Sequence, residues 1–215
     1  NEFNKFCYPL IPYTIIGFLY TFADYWLLQR YGGSIQQGYY AIGYRFSAIV
    51  LIATISILEV FWKEISEAHF NNNMDRVRLL YSSISKSFFF GGMVISAFVI
   101  PHSRQIIDLF LGSSYRDAWL PLSLMFYYPV HQSMGQITGT MLFAMGKTKT
   151  ASYIGIFFML ISILFAYIIL APKTAIVPGF QMGAAGLAIK MIVCQIIGVN
   201  LSAFFVAKYI NISFD

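Results

Sequence analysis

Three charged side chains lie well inside apolar runs of this 215-residue chain: Asp24, Arg45 and Lys190. On a helical rise of 1.5 Å per residue, Arg45 and Lys190 each sit roughly 10 Å from the outer ends of their runs, and Asp24 roughly 7 Å. The three groups therefore share one layer on three different helices. A charge at such depth is costly in hydrocarbon and normally faces a protein interior or a wet cavity. The planar fork of an Arg can hold phosphate oxygens bidentately, and a Lys adds a compact second charge. Arg45, with Lys190 as the weaker second cation, is thus placed to bind an anion. The other reading is that both cations snorkel to the outer headgroups. Asp24 is read either as a structural ion pair with Arg45 or as an ion-coupling group.

A second polar set follows Pro129. Gln132, Gln136 and Thr140 recur at i, i+4 and i+8 and share one helix face. Gly135 and Gly139 form a G-x-x-x-G step on the adjacent face, where another backbone can approach. The stripe either lines a substrate cavity, with Gln132 and Gln136 as binding groups, or serves as interhelical glue. His131 is a hydrogen-bonded packing residue or a proton carrier. Glu59, four residues before Lys63, reads as an i,i+4 pair. The chain has no H-E-x-x-H, no serine-nucleophile motif and no phosphate loop. Cys7 and Cys194 lie in or beside apolar runs without zinc or redox spacing and read as packing residues. The expectation is no catalytic residue, no metal, no cofactor and no enzymatic activity.

The elements that must position these groups are membrane helices. The chain is 58% hydrophobic and 11% charged, against roughly 25% charged in soluble domains. Its 21 Phe and 15 Tyr suit interfacial aromatic belts. The apolar runs are continuous, about twice the roughly 10-residue alternating strands of an outer-membrane barrel. The formal charge of +5 is not clustered, so nucleic acid is not an expected partner; membrane lipids are. Six spans are expected, at about 8–29, 38–62, 84–104, 119–145, 151–171 and 183–207, with ends uncertain by roughly 2–4 residues. Pro121 and Pro129 should kink the fourth. The long polar link 63–83 offers Asn72 or Asn73 as an N-cap and Asp75 in a first turn. Met74, Val77, Tyr81 and Ile84 then share a face, as in an interfacial helix leading into the third span; the other reading is a plain solvated loop. Gly91, Gly92, Gly183 and Gly186 read as packing residues.

Orientation follows from the loop cations. Lys5, Lys63, Arg76, Arg78, Lys86, Lys147, Lys149 and Lys208 mark one set of ends, and Arg30, Arg104, Arg116 and Lys173 the other. The richer set is expected to be cytoplasmic, with both ends of the chain on that side. The opening NEFNKFCYPL has neither Met nor a signal peptide, so the chain reads as a piece of a longer protein.

YPLIPYTIIGFLYTFADYWLLQRYGG with its Asp24, GYYAIGYRF, GQITGTMLFAMGKTKTASY with the basic hairpin Gly146–Lys149, and GAAGLAIK occur in that order. Together they resemble the C-terminal part of a Wzx-type polysaccharide flippase, in the multidrug/oligosaccharidyl-lipid/polysaccharide (MOP) exporter superfamily. The resemblance covers nearly the whole chain. SILFAYIILAPK departs from it, lacking an Asn partway along the fifth span, and the loop 172–182 is long. What the resemblance implies is an all-α, MATE-like bundle of two pseudo-symmetric lobes around a central cavity, with an N-terminal lobe preceding this one. It implies an inner-membrane protein that moves undecaprenyl-pyrophosphate-linked sugar units between leaflets for O-antigen, capsule or other surface polysaccharide. The lobes would rock to give alternating access.

Two other classes remain. A cation-coupled drug exporter of the same superfamily would want acidic groups in its cavity, whereas bases match or outnumber acids in these spans. A membrane glycan-processing enzyme would need a sizeable outer loop or a buried His/Asp site, and neither is evident.

Overall fold

The computed structural model describes residues 2–212. The described residues form helices and turns, without a strand: α1 (Glu2–Cys7), α2 (Leu10–Phe70), α3 (Met74–Val99), α4 (Ser103–Phe110), a 3-10 turn (Ser113–Ala118), α5 (Trp119–Met125), α6 (Tyr128–Ala144), α7 (Thr148–Leu170) and α8 (Gly183–Ile210). α2, α3, α7 and α8 are each long and apolar enough to cross a membrane.

α2 is not a straight rod. Gly33 sits at φ 75°, ψ 178°, a region open essentially to glycine alone. The chain folds back there. The rings of Tyr25 and Tyr40 lie 5.9 Å apart, where fifteen residues of straight helix would separate them by roughly 22 Å. α2 therefore supplies two arms, 10–32 and 34–70. The second arm runs past Trp62 through the polar KEISEAH segment, because Ile65 and Ala68 fall on its inner side and are buried.

A tight turn at Asn71–Asn73 leads into α3. Asn73 caps it, its side chain accepting from the Arg76 N–H at 3.1 Å, and Asp75 stands in the first turn. The 63–83 link is thus helix on both sides of that turn. Val77 and Tyr81 are buried, and Met74 and Ile84 pack against the same core cluster. This face covers protein rather than lying free on the membrane surface. Arg76 pairs with Glu64 across the turn; among the described residues Glu59 forms no ion pair with Lys63.

The 119–145 run is broken. α5 ends at Met125 and α6 begins at Tyr128 with Pro129 in its first turn, where a missing N–H costs least. The Ser96 hydroxyl of α3 donates to the Phe126 carbonyl at the break, replacing a lost helix bond.

The interior sorts into two ends. One cluster joins Leu27, Leu28, Tyr40, Met125, Leu170, Leu187 and their neighbours near the Gly33 turn. The other joins Phe61, Ile65, Tyr81, Met141, Leu142, Val206 and Ile210. At the first end, the Gln36 side chain accepts from the Ala184 N–H at 2.9 Å, capping α8 from across the bundle. There α4 and the 3-10 turn are held by Ile107, Ala118, Leu122 and Phe126 and by Arg104 over the Trp119 ring. Arg116 hydrogen-bonds Asp108 and holds its carboxyl below the usual range. At the second end, Arg78 donates to the Ile210 carbonyl at 2.7 Å. The outward faces are apolar, with Phe18, Phe90, Phe98 and Leu164 all more than half exposed. Helices solvated by lipid present such faces; a soluble domain rarely exposes apolar patches of this extent.

Candidate functional site

Both arms of α2 and the helices α6, α7 and α8 line an open cavity of about 710 Å³. From the first arm, Tyr20 and Asp24 line it at i, i+4; from the second, Tyr40 and Tyr44 do so at the same spacing. α6 adds Tyr128, Gln132, Gln136 and Thr140, α7 adds Ser162, and α8 adds Gln195. One helix face of each element thus turns inward.

Among the described residues, Asp24 is the one acidic residue lining the cavity, and no Lys, Arg or His joins it there. Its partner is Lys190, not Arg45. The Lys190 Nζ donates to both carboxylate oxygens, at 2.8 and 2.7 Å, and lies 4.5 Å from the centroid of the Tyr20 ring. Asp24 is 4% exposed and Lys190 1%. The Tyr20 hydroxyl turns to the Met191 sulfur. Removing one partner of a buried pair leaves an uncompensated charge, at about 3–5 kcal/mol.

Arg45 is exposed, does not line the cavity and makes no ion pair among the described residues. Rotation explains this. Tyr40, Tyr44, Ser47, Leu51, Thr54 and Leu58 form the inner stripe of the second arm, and a helix turns 100° per residue. Arg45 lies one step from Tyr44, on the face that carries exposed Ile49 and Ile52. Depth thus brings Asp24, Lys190 and Arg45 to one layer, while helix phase brings together only the first two.

The Gln132–Gln136–Thr140 stripe lies on the cavity wall and also bonds between helices. Gln195 of α8 donates to the Gln132 carbonyl oxygen at 2.5 Å. The Gln136 Oε1 is buried without a hydrogen-bond partner among the described residues. Gly135 admits α8, since a Cβ there would meet Val199 and Gln195, whereas Gly139 faces open space. Two buried hydroxyl contacts tie α6 to its neighbours: Thr54 with Ser133 at 2.9 Å and Tyr81 with Thr138 at 3.1 Å. His131 stands edge-on to Phe89, its Nδ1 unpaired among the described residues.

The tyrosines are the site residues that sequence reasoning missed. Tyr25, Tyr40, Tyr44 and Tyr128 form an unbroken chain of ring contacts at 5.9, 6.2 and 6.3 Å. The i, i+4 spacing of Tyr40 and Tyr44 was a visible signal, but an aromatic-rich chain reads equally as an interfacial belt. Among the described residues no group of His, Cys, Asp and Glu could hold a metal ion.

No protein-family model matches the sequence, and no curated protein sequence matches it. Solved structures do match in fold. A multidrug resistance MATE family transporter of the MOP superfamily, in an outward-facing conformation, superposes with TM-score 0.79 at 16% identity, over 94% of this chain and 44% of that one. A MATE in complex with MaL6 gives TM-score 0.81 at 16% identity, over 98% and 46%. A MOP superfamily transporter from Pyrococcus furiosus Vc1, described by a binding pocket of reverse polarity suggesting a different function, gives 0.79 at 16%, over 94% and 45%. This chain spans a little under half the length of the structures it matches. It has the fold of one lobe of a MATE-like transporter of the MOP superfamily.

Proposed function

We propose that this chain is one lobe of a multi-pass exporter that moves undecaprenyl-pyrophosphate-linked oligosaccharide across the inner membrane for surface polysaccharide synthesis. The observation that carries the reading is the lining of the cavity: tyrosine rings and carboxamides around a carboxylate already neutralised by Lys190. Aromatic faces take the C–H face of a sugar ring, and Gln side chains offer both donors and acceptors to hydroxyls. The lining carries no net charge, and its hydroxyls and carboxamides suit a glycan, while Leu58, Phe143, Phe158 and Met159 make the rest of the wall apolar. The lobe crosses the membrane six times: two arms of α2, then α3, the broken α5–α6, α7 and α8. The Gly33 turn faces outward and the Asn71–Asn73 turn the cytoplasm. A second lobe covers the exposed face of the second arm, where Arg45 is free to take the pyrophosphate of the cargo.

A second reading, cation-coupled drug export, is favoured by the multidrug transporters among the structural neighbours. The test is deletion of the gene with complementation by the full-length protein. Loss of surface glycan with build-up of its lipid-linked precursor supports the first reading. Unchanged glycan together with sensitivity to lipophilic cations supports the second.

A further inference from the structure

We infer that Lys190 is a specificity residue: its tethered ammonium occupies Asp24 and so bars cationic cargo from the cavity. The inference rests on the reading that this cavity carries cargo, and it does not depend on that cargo being a glycan.

The geometry resembles a cation-binding site with the cation built in. The Asp24 carboxylate is engaged at both oxygens by one Nζ, at 2.8 and 2.7 Å. The Tyr20 face lies 4.5 Å from the same nitrogen. A carboxylate and an aromatic face are the two groups that a lipophilic cation uses in a desolvated site. Here Lys190 takes both, from the α8 side, while it stays out of the cavity lining. Asp24 is the only acidic group among the described lining residues. The cavity as a whole is therefore neutral because of one side chain. Lys190 is 1% exposed, so its ammonium balances the carboxylate without offering itself to an anion.

Removing the ammonium should expose the site. Lys190→Met keeps the length and apolar stem and deletes the charge. Tetraphenylphosphonium is the probe, with binding measured calorimetrically on the purified full-length protein. Wild type should bind it weakly, and Lys190→Met at least about tenfold more tightly, as expected when an unpaired negative charge is restored beside a cation-sized space. Asp24→Asn/Lys190→Met, which removes both charges, should return to the wild-type value. If Lys190→Met is not monodisperse, Lys190→Gln replaces it, since its amide can still donate to the carboxylate. Equal affinity of wild type and a folded single variant would overturn the inference, as would tight binding retained by the double variant. Failure of the glycan reading is separately visible, because the binding assay involves no glycan.

Discussion

Tyr25 and Tyr40 sit fifteen positions apart on the two arms of α2, and their rings touch edge to face. That contact exists because Gly33 turns the chain back on itself. It places Asp24 and Tyr44 on the same cavity wall, so the site depends on a single backbone conformation. Gly33→Ala forces a side chain into a region that costs about 1–3 kcal/mol. The full-length protein in detergent should melt about 1–5 °C lower. Gly38→Ala, at an ordinary helical position with open space around it, should not. An unchanged melting temperature for Gly33→Ala would mean that the turn is not needed.

The interhelical hydroxyl contacts should be worth little each. Tyr81→Phe removes the bond to Thr138, and such bonds average about 0.6 kcal/mol in membrane proteins. A drop of about 1–2 °C is expected, with none for the exposed Tyr153→Phe. A much larger drop would mark Tyr81 as part of a cooperative network.

Gln136 separates a cavity role from a packing role. Its Oε1 has no partner among the described residues, so Gln136→Leu should not destabilise the bundle. Surface glycan should fall several-fold while membrane levels stay near normal by blot. Collapse of protein level with normal activity per molecule would make the residue structural.

Membrane sidedness can be read directly. In the full-length protein with Cys7 and Cys194 replaced, a cysteine at exposed Ser113 should react with an impermeant maleimide added outside intact cells. One at exposed Asn72 should react only after permeabilisation. Labelling of position 72 in intact cells would reverse the orientation.

Depth was legible in the sequence and angle was not. Asp24 and Lys190 meet because both lie in the layer that helix rise assigns to them. Arg45 lies in that layer too, yet its helix phase turns it away. Hydrophobic periodicity gives no warning, because lipid is as apolar as the core and the second arm is apolar on nearly every face. The helix between Trp62 and Phe70 was hidden for the opposite reason. Its Lys63, Glu64 and Glu67 read as a polar link, and only packing reveals that Ile65 and Ala68 face inward. Pro129 was readable as a break, because a missing N–H must act locally wherever the helix goes. The tyrosine wall required the fold, since its members come from both arms of α2 and from α6.

The central claim is tested most directly by reconstituting the full-length protein in liposomes carrying lipid-linked repeat units extracted from cells deleted for its gene. A glycan-cleaving enzyme added outside reports the leaflet. Active protein should make inner-leaflet glycan accessible within the assay, with Arg45→Ala slower by tenfold or more, about 1.4 kcal/mol in the barrier. The same vesicles should not move tetraphenylphosphonium. Glycan that stays protected while the phosphonium is transported would contradict the account.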